Sequence, residues 1–162
     1  MAQTSRFNFS PYAFEPGTAF PQLLVTNTRP MLAFDASTDE TCQWTAIAPQ
    51  GLTGGITVKA YYCMASATSG TVVMGAAIEA ITDGDTTPDL DSASSFAAAT
   101  LGTVAVPGTA GVMDVLSIAI SNTDSIAAGD YFRVLFYRDA DSASDGASGD
   151  CYLTMLEVTD GN

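Results

Sequence analysis

The residues best able to do chemistry in this chain are carboxylates. Eighteen Asp and Glu stand against five Lys and Arg, and histidine is absent. That absence removes the commonest general base, His-based triads and most zinc and copper sites. The reaction such a composition leaves open is glycoside hydrolysis by an acid pair. Glu40, Glu79, Glu157 and Asp114 are the acids that fall in or beside predicted strands, where such residues more often mark solvent faces. The single lysine, Lys59, lies mid-strand on a polar face, where a solvated side chain is expected. No P-loop, dinucleotide fingerprint or nucleophile elbow is present. The chain is therefore read as non-enzymatic, with no catalytic residue.

Metal and cofactor sites are not expected either. The run Asp139-Ala140-Asp141-Ser142-Ala143-Ser144-Asp145-Gly146 has the flavour of a calcium loop, but an EF-hand needs glycine at its sixth position. Counting from Asp139, the sixth residue is Ser144, and the flanking helices are missing. This run and Thr82-Asp83-Gly84-Asp85 read as solvated turns. Cys42, Cys63 and Cys151 are odd in number and widely spaced, without a CxxC pair, which argues against zinc. Each falls in a predicted strand as small apolar filler, with room left for one disulfide.

The elements that must position these residues are strands. In Tyr131–Tyr137, Phe132, Val134 and Phe136 share one face and Tyr131, Arg133, Leu135 and Tyr137 the other, the alternation of a half-buried strand. With Gly149-Asp150 opening a further strand, the C-terminal region reads as a hairpin closed by an acidic turn. Upstream, Met31–Asp35, Thr41–Ala48, Ile56–Ala65, Thr71–Ile81, Phe96–Val106 and Val112–Ser121 are predicted strands separated by turn signals. Phe96-Ala97-Ala98-Ala99 is ambiguous between strand and helical turn. About eight strands with almost no helical periodicity predict an all-β, eight-stranded antiparallel β-sandwich, with a jelly roll the best fit. At 162 residues the chain suffices for one ordinary domain that needs no disulfide to hold its core.

Residues 1–30 differ from the rest. Four prolines (Pro11, Pro16, Pro21, Pro30) block helix and central strand alike. Five aromatics, Phe7, Phe9, Tyr12, Phe14 and Phe20, are too many for a solvated tail. The segment is predicted to be an extended arm preceding a sandwich over residues 31–162. It is expected to pack on its own domain, a sister subunit or a partner.

The net charge of −13 repels phosphate backbones, so nucleic acid and anionic membrane are not expected partners. Acidity of this kind either serves solubility alone or marks a face turned away from DNA. Residues 1–6 carry no apolar signal-peptide core, and no run approaches the ~18 apolar residues of a membrane helix. Synthesis and assembly in a cytoplasm are expected.

A series of phrases carries a resemblance. It starts with Arg29-Pro30-Met31-Leu32-Ala33-Phe34-Asp35, followed by Asp39-Glu40-Thr41-Cys42-Gln43-Trp44, Pro49-Gln50-Gly51 and Gly54-Gly55-Ile56-Thr57-Val58. Ser66-Ala67-Thr68-Ser69-Gly70, Val106-Pro107-Gly108-Thr109-Ala110-Gly111, Gly129-Asp130, Arg138-Asp139-Ala140 and Gly149-Asp150 complete it. Over residues 29–159 the chain resembles small β-sandwich structural proteins of tailed bacteriophages, including capsid decoration, or cement, proteins. The resemblance implies a jelly roll, often a homotrimer, on the outer capsid surface of the virion, bound to the major capsid protein and locking neighbouring subunits together. It supplies no catalytic motif. The arm aromatics Phe7, Phe9, Tyr12, Phe14 and Phe20 are then the expected capsid or subunit contacts, and a chain lacking residues 1–25 is expected to fold without binding.

The alternative is a binding module on a tail or surface appendage, since jelly rolls also serve as lectins. Tyr61, Tyr131 and Tyr137, on exposed strand faces, would stack on sugar rings. Otherwise they pack against the arm or a neighbouring subunit.

Overall fold

The computed structural model describes residues 6–52 and 55–160. Gly54 and residues 1–5, read above as part of a turn and of the N-terminus, lie outside the described residues. The strands are β1 (Arg6–Phe9), β2 (Glu15–Pro16), β3 (Gln22–Thr26), β4 (Arg29–Phe34), β5 (Thr41–Ile47), β6 (Ile56–Met64), β7 (Thr71–Ile81), β8 (Thr100–Ala105), β9 (Asp114–Ala119), β10 (Tyr131–Arg138) and β11 (Cys151–Asp160). A single 3-10 turn spans Pro11–Ala13 and is the only helical element among the described residues. Phe96–Ala99 forms no helical turn; it is the irregular lead into β8.

The strands form two antiparallel sheets. The first runs β3-β4-β11-β6-β9, with β1 also paired to β11, and the second runs β2-β5-β10-β7-β8. Numbered from β4 onward, the eight main strands stand 1-8-3-6 in one sheet and 2-7-4-5 in the other, the jelly-roll order. The fold expectation is met, and three short strands from the N-terminal segment add to it.

Alternation accounts for the core. In β6, Ile56, Val58, Ala60, Tyr62 and Met64 are all buried while the residues between them are half-buried. Opposite them, Phe132, Val134 and Phe136 of β10 are buried, and Phe136 meets Phe34 of β4 edge-on at 5.7 Å between ring centroids. Trp44 of β5 is fully buried.

The closing strands are not a hairpin. β10 pairs with β5 and β7, and β11 pairs with β4, β6 and β1, so the two lie in opposite sheets. Both strands bury apolar residues, and pairing them in one sheet would leave the other without its centre. The connection, residues 139–150, therefore crosses between sheets, and Arg138 orders it from inside. The Arg138 and Asp145 side chains are each 1% exposed and form a two-pronged ion pair at 2.7 and 3.0 Å. Arg138 also donates to the carbonyls of Ala147 and Gly149. Burial pulls the Arg138 pKa down, but these bonds and the Asp145 charge outweigh it, and the guanidinium is held charged more firmly than usual.

The proline-rich segment is integrated rather than free. β1 pairs with β11, β2 with β5 and β3 with β4. Phe7 meets Phe132 edge-on at 5.4 Å, and Phe9 stacks on Trp44 at 6.1 Å. Trp44 Nε1 donates to the Ser10 carbonyl at 3.1 Å. Of the three expected packing surfaces, the chain's own domain takes this segment. No linker stands at residue 30, because β4 already begins at Arg29. Deleting residues 1–25 would remove β1, β2 and most of β3 from these pairings.

Candidate binding groove

The two outer faces of the sandwich differ. On the second sheet, Tyr137 lies over Gly75 so closely that a Cβ there would stand 2.2 Å from Tyr137 Cζ. Residues 82–99 fold back over the same face. Ser95 N donates to Glu79 Oε1, Ala97 N donates to the Ile78 carbonyl, and Arg133 reaches Glu79 at 2.9 Å and Ser94 at 2.8 Å. The Arg133 guanidinium also sits 5.2 Å from the Phe96 ring centroid. As a result β7 is buried on both faces, as its nearly unbroken apolar run requires.

The outer face of the first sheet carries no such cover. A groove runs along it in two adjoining sections of about 520 and 460 Å³ that share Arg29, Met113 and Thr154. Tyr61 and Met155 line the first section, Tyr152 and Cys63 the second. The groove follows an irregularity in β11. β4 pairs with Cys151–Leu153 and β1 pairs with Leu156–Thr159, both on the same side of β11, and the register shifts between Leu153 and Met155. Such a bulge bends a strand and interrupts its ladder. Here it leaves a notch between the end of β1 and the start of β4. Thr154 Oγ1 donates to the Tyr61 carbonyl at 2.9 Å and ties the bulge to β6.

The rim of the second section is the β3–β4 turn. Asn27 and Thr28 both adopt positive φ, 49° and 64°, the backbone of a two-residue type I′ hairpin. Threonine rarely takes this conformation. Departures of this kind concentrate at functional sites. Thr28 holds it while its hydroxyl donates to the Asn27 carbonyl at 2.6 Å.

The three tyrosines proposed for sugar stacking are separated by the fold. Tyr61 lines the groove. Tyr137 is occupied over Gly75, and Tyr131 lies on the second sheet beside Ile47, Ile81 and Leu90. The second tyrosine in the groove is Tyr152, in the adjoining section, which sequence reasoning passed over. Its strand parity was readable, but the bulge that opens the surface around it was not. Arg29 was likewise read only as part of a family phrase.

The strand carboxylates are engaged in holding the fold. Glu157 lies between Lys59 (3.1 Å) and Arg6 (3.7 Å), and Glu79 pairs with Arg133. Glu40 accepts from Asp35 N, and burial raises its pKa above the ordinary value. Asp114 accepts from the Tyr62 hydroxyl, whose pKa is driven up by burial first and by that carboxylate second. The cysteines are free, and burial raises the thiol pKa of all three. Carboxylate oxygens of Asp39, Asp139 and Asp141 lie within 4.8 Å of one another at the surface. Asp39 already accepts from Ala140 N, and burial followed by the Asp39 charge raises Asp139. Nothing further in this group singles out a cation.

The arm aromatics divide in the same way. Phe9 is buried and Phe7 half-buried against the core, so neither ring can reach a partner without leaving it. Phe14 is also packed against the core and lies 6.4 Å from Phe20. Tyr12 and Phe20 are 62% and 50% exposed.

No protein-family model and no curated protein matches the chain. Among solved structures it is similar to the CBM35 from Cellvibrio japonicus Abf62, with a TM-score of 0.52 at 10% identity, covering 98% of this chain and 95% of that one. It is also similar to the CBM35 from Paenibacillus barcinonensis, with a TM-score of 0.51 at 14% identity, covering 97% and 99%. At these identities the likeness establishes the fold alone, an antiparallel β-sandwich that spans nearly the whole of both chains.

Proposed function

We propose that the chain is a non-catalytic binding module whose first-sheet groove receives a saccharide. The observation that carries this reading is the uncovered groove itself, with Tyr61 and Tyr152 in its two sections and polar groups from Thr154, Asn8 and Asn27 beside them. Aromatic rings offer flat apolar area, and a few fixed polar groups give orientation, the usual division of labour in ligand sites. The fold likeness to two CBM35 modules supports it. Hydrolysis would need two carboxylates flanking the bond. Among the described residues the groove is lined by one, Glu157, which is already paired with Lys59 and Arg6. The test is a glycan array followed by titration of any hit. Reproducible binding that Tyr61→Ala or Tyr152→Ala abolishes is the expected result. Binding unchanged in both variants would overturn the reading.

A second reading, capsid decoration, keeps one observation of its own. Tyr12 in the 3-10 turn, Phe20 between β2 and β3, and Val25 on β3 are large apolar side chains left exposed in the N-terminal segment. In that role the chain would be a virion protein, as a trimer on the outer capsid surface, with these residues rather than Phe7 and Phe9 meeting the major capsid protein. Electron microscopy of the virion tests it: density on the head supports it, and density confined to the tail removes it.

A further inference from the structure

We infer that the groove takes an acidic saccharide, one bearing carboxylate or sulfate groups, and that Arg29 reads its charge. This rests on the groove being a saccharide site. The argument begins with where the five cations of a chain of net charge −13 are placed. Arg138 is buried against Asp145, and Arg133 is turned to Glu79 and Glu15 on the second sheet. The other three, Arg6, Arg29 and Lys59, all belong to the first sheet, on or beside the groove. Glu157 sits between Arg6 and Lys59 and offsets their charge in part.

Arg29 is different. It is exposed, lines both sections of the groove, and has no carboxylate within ion-pair distance among the described residues. Glu157 is the one acid of eighteen that lines the groove among the described residues; the others leave most of the surface repelling an anion, and this strip is the exception. A guanidinium presents parallel N–H donors matched to the paired oxygens of a carboxylate or sulfate. A neutral sugar would accept hydrogen bonds from this guanidinium but leave its charge unmatched. The hairpin that ends at Arg29 keeps Thr28 in a conformation threonine disfavours, so the position of this side chain is maintained at some local cost. One free guanidinium cannot track a phosphate backbone against this net charge, which separates the surface from a nucleic-acid site.

The test uses the full chain and three polymers: polygalacturonate, dextran sulfate and neutral dextran, with duplex DNA as a further anion. Retardation in affinity gels and titration calorimetry are read for wild type, Arg29→Ala, Arg29→Lys and Tyr61→Ala. Binding to one or both acidic polymers is expected, weakened roughly tenfold or more by Arg29→Ala and partly restored by Arg29→Lys. It should fall with added salt. Which polymer binds identifies the oxyanion. Acidic-polymer binding indifferent to Arg29→Ala, or equal binding of DNA, would overturn the inference. Saccharide binding that needs Tyr61 but not Arg29 would sink this inference while leaving the saccharide reading intact. If Tyr61→Ala changes nothing as well, both fall.

Discussion

Arg138 and Asp145 face each other inside the crossing between the sheets, seven residues apart in sequence and both withdrawn from water. Asp145 Oδ2 also accepts from Val73 N at 3.0 Å, so one carboxylate joins the crossing to the start of β7. Removing one member of a buried pair strands the other charge and is costly, whereas replacing both by apolar groups can be nearly neutral.

Asp145→Ala should therefore destabilise the fold by about 3–5 kcal/mol, read by urea unfolding. The double variant Arg138→Met/Asp145→Leu should recover a good part of that loss. A single substitution costing under about 1 kcal/mol would place the pair among weakly coupled surface pairs.

The N-terminal aromatics should separate cleanly in stability. Phe9→Ala removes a ring stacked on Trp44 and should cost about 3 kcal/mol. Phe20→Ala, at a half-exposed site, should stay within about 0.5 kcal/mol. Thermal unfolding followed by Trp44 fluorescence measures both. Equal losses would contradict the integration of β1 into the core.

Asp139 supplies a pH dependence. Burial, followed by the charges of its acidic neighbours, raises its pKa in the folded state, so that state binds the proton more tightly than the unfolded chain does. Its ionised form thus costs stability at neutral pH, and the cost disappears as pH falls through the raised pKa. Asp139→Asn should be more stable than wild type near neutrality, by less than about 0.5 kcal/mol given solvent screening. The difference should close near pH 3. A gap that widens on acidification would mean that the carboxylate is stabilised rather than strained by its surroundings.

The eight main strands were legible because β6, β9 and β10 alternate apolar and polar residues with little interruption. β7 was legible as a strand but not as a doubly buried one. Its cover comes from Tyr137 and from residues 82–99, whose long-range bonds to Glu79 and Ile78 leave no local pattern. The jelly-roll order itself implies that β10 and β11 lie in different sheets, yet the acidic turn between them read as a hairpin because turn composition says nothing of pairing. Tyr61 was identified as a stacking candidate from its face. The groove around it depends on a one-residue slip at Thr154 in the pairing of β11 with β6, and a slip of this kind leaves no mark in the alternation of a single strand. The unpaired state of Arg29 is equally invisible in sequence, since it depends on where every carboxylate ends up.

The sharing of β11 by β1, β4 and β6 has a consequence for how the molecule comes into being. Arg6 pairs with Thr159, so a segment made early in the sandwich waits for one made much later. Until residues 151–159 have emerged, β1 has no strand to pair with, and the edge of β4 that β11 will occupy is bare. Closing so long a loop late favours slow folding. It also makes the nascent chain depend on not finding another strand in the interval. The same strand that bends to open the groove is the one whose arrival completes the sandwich.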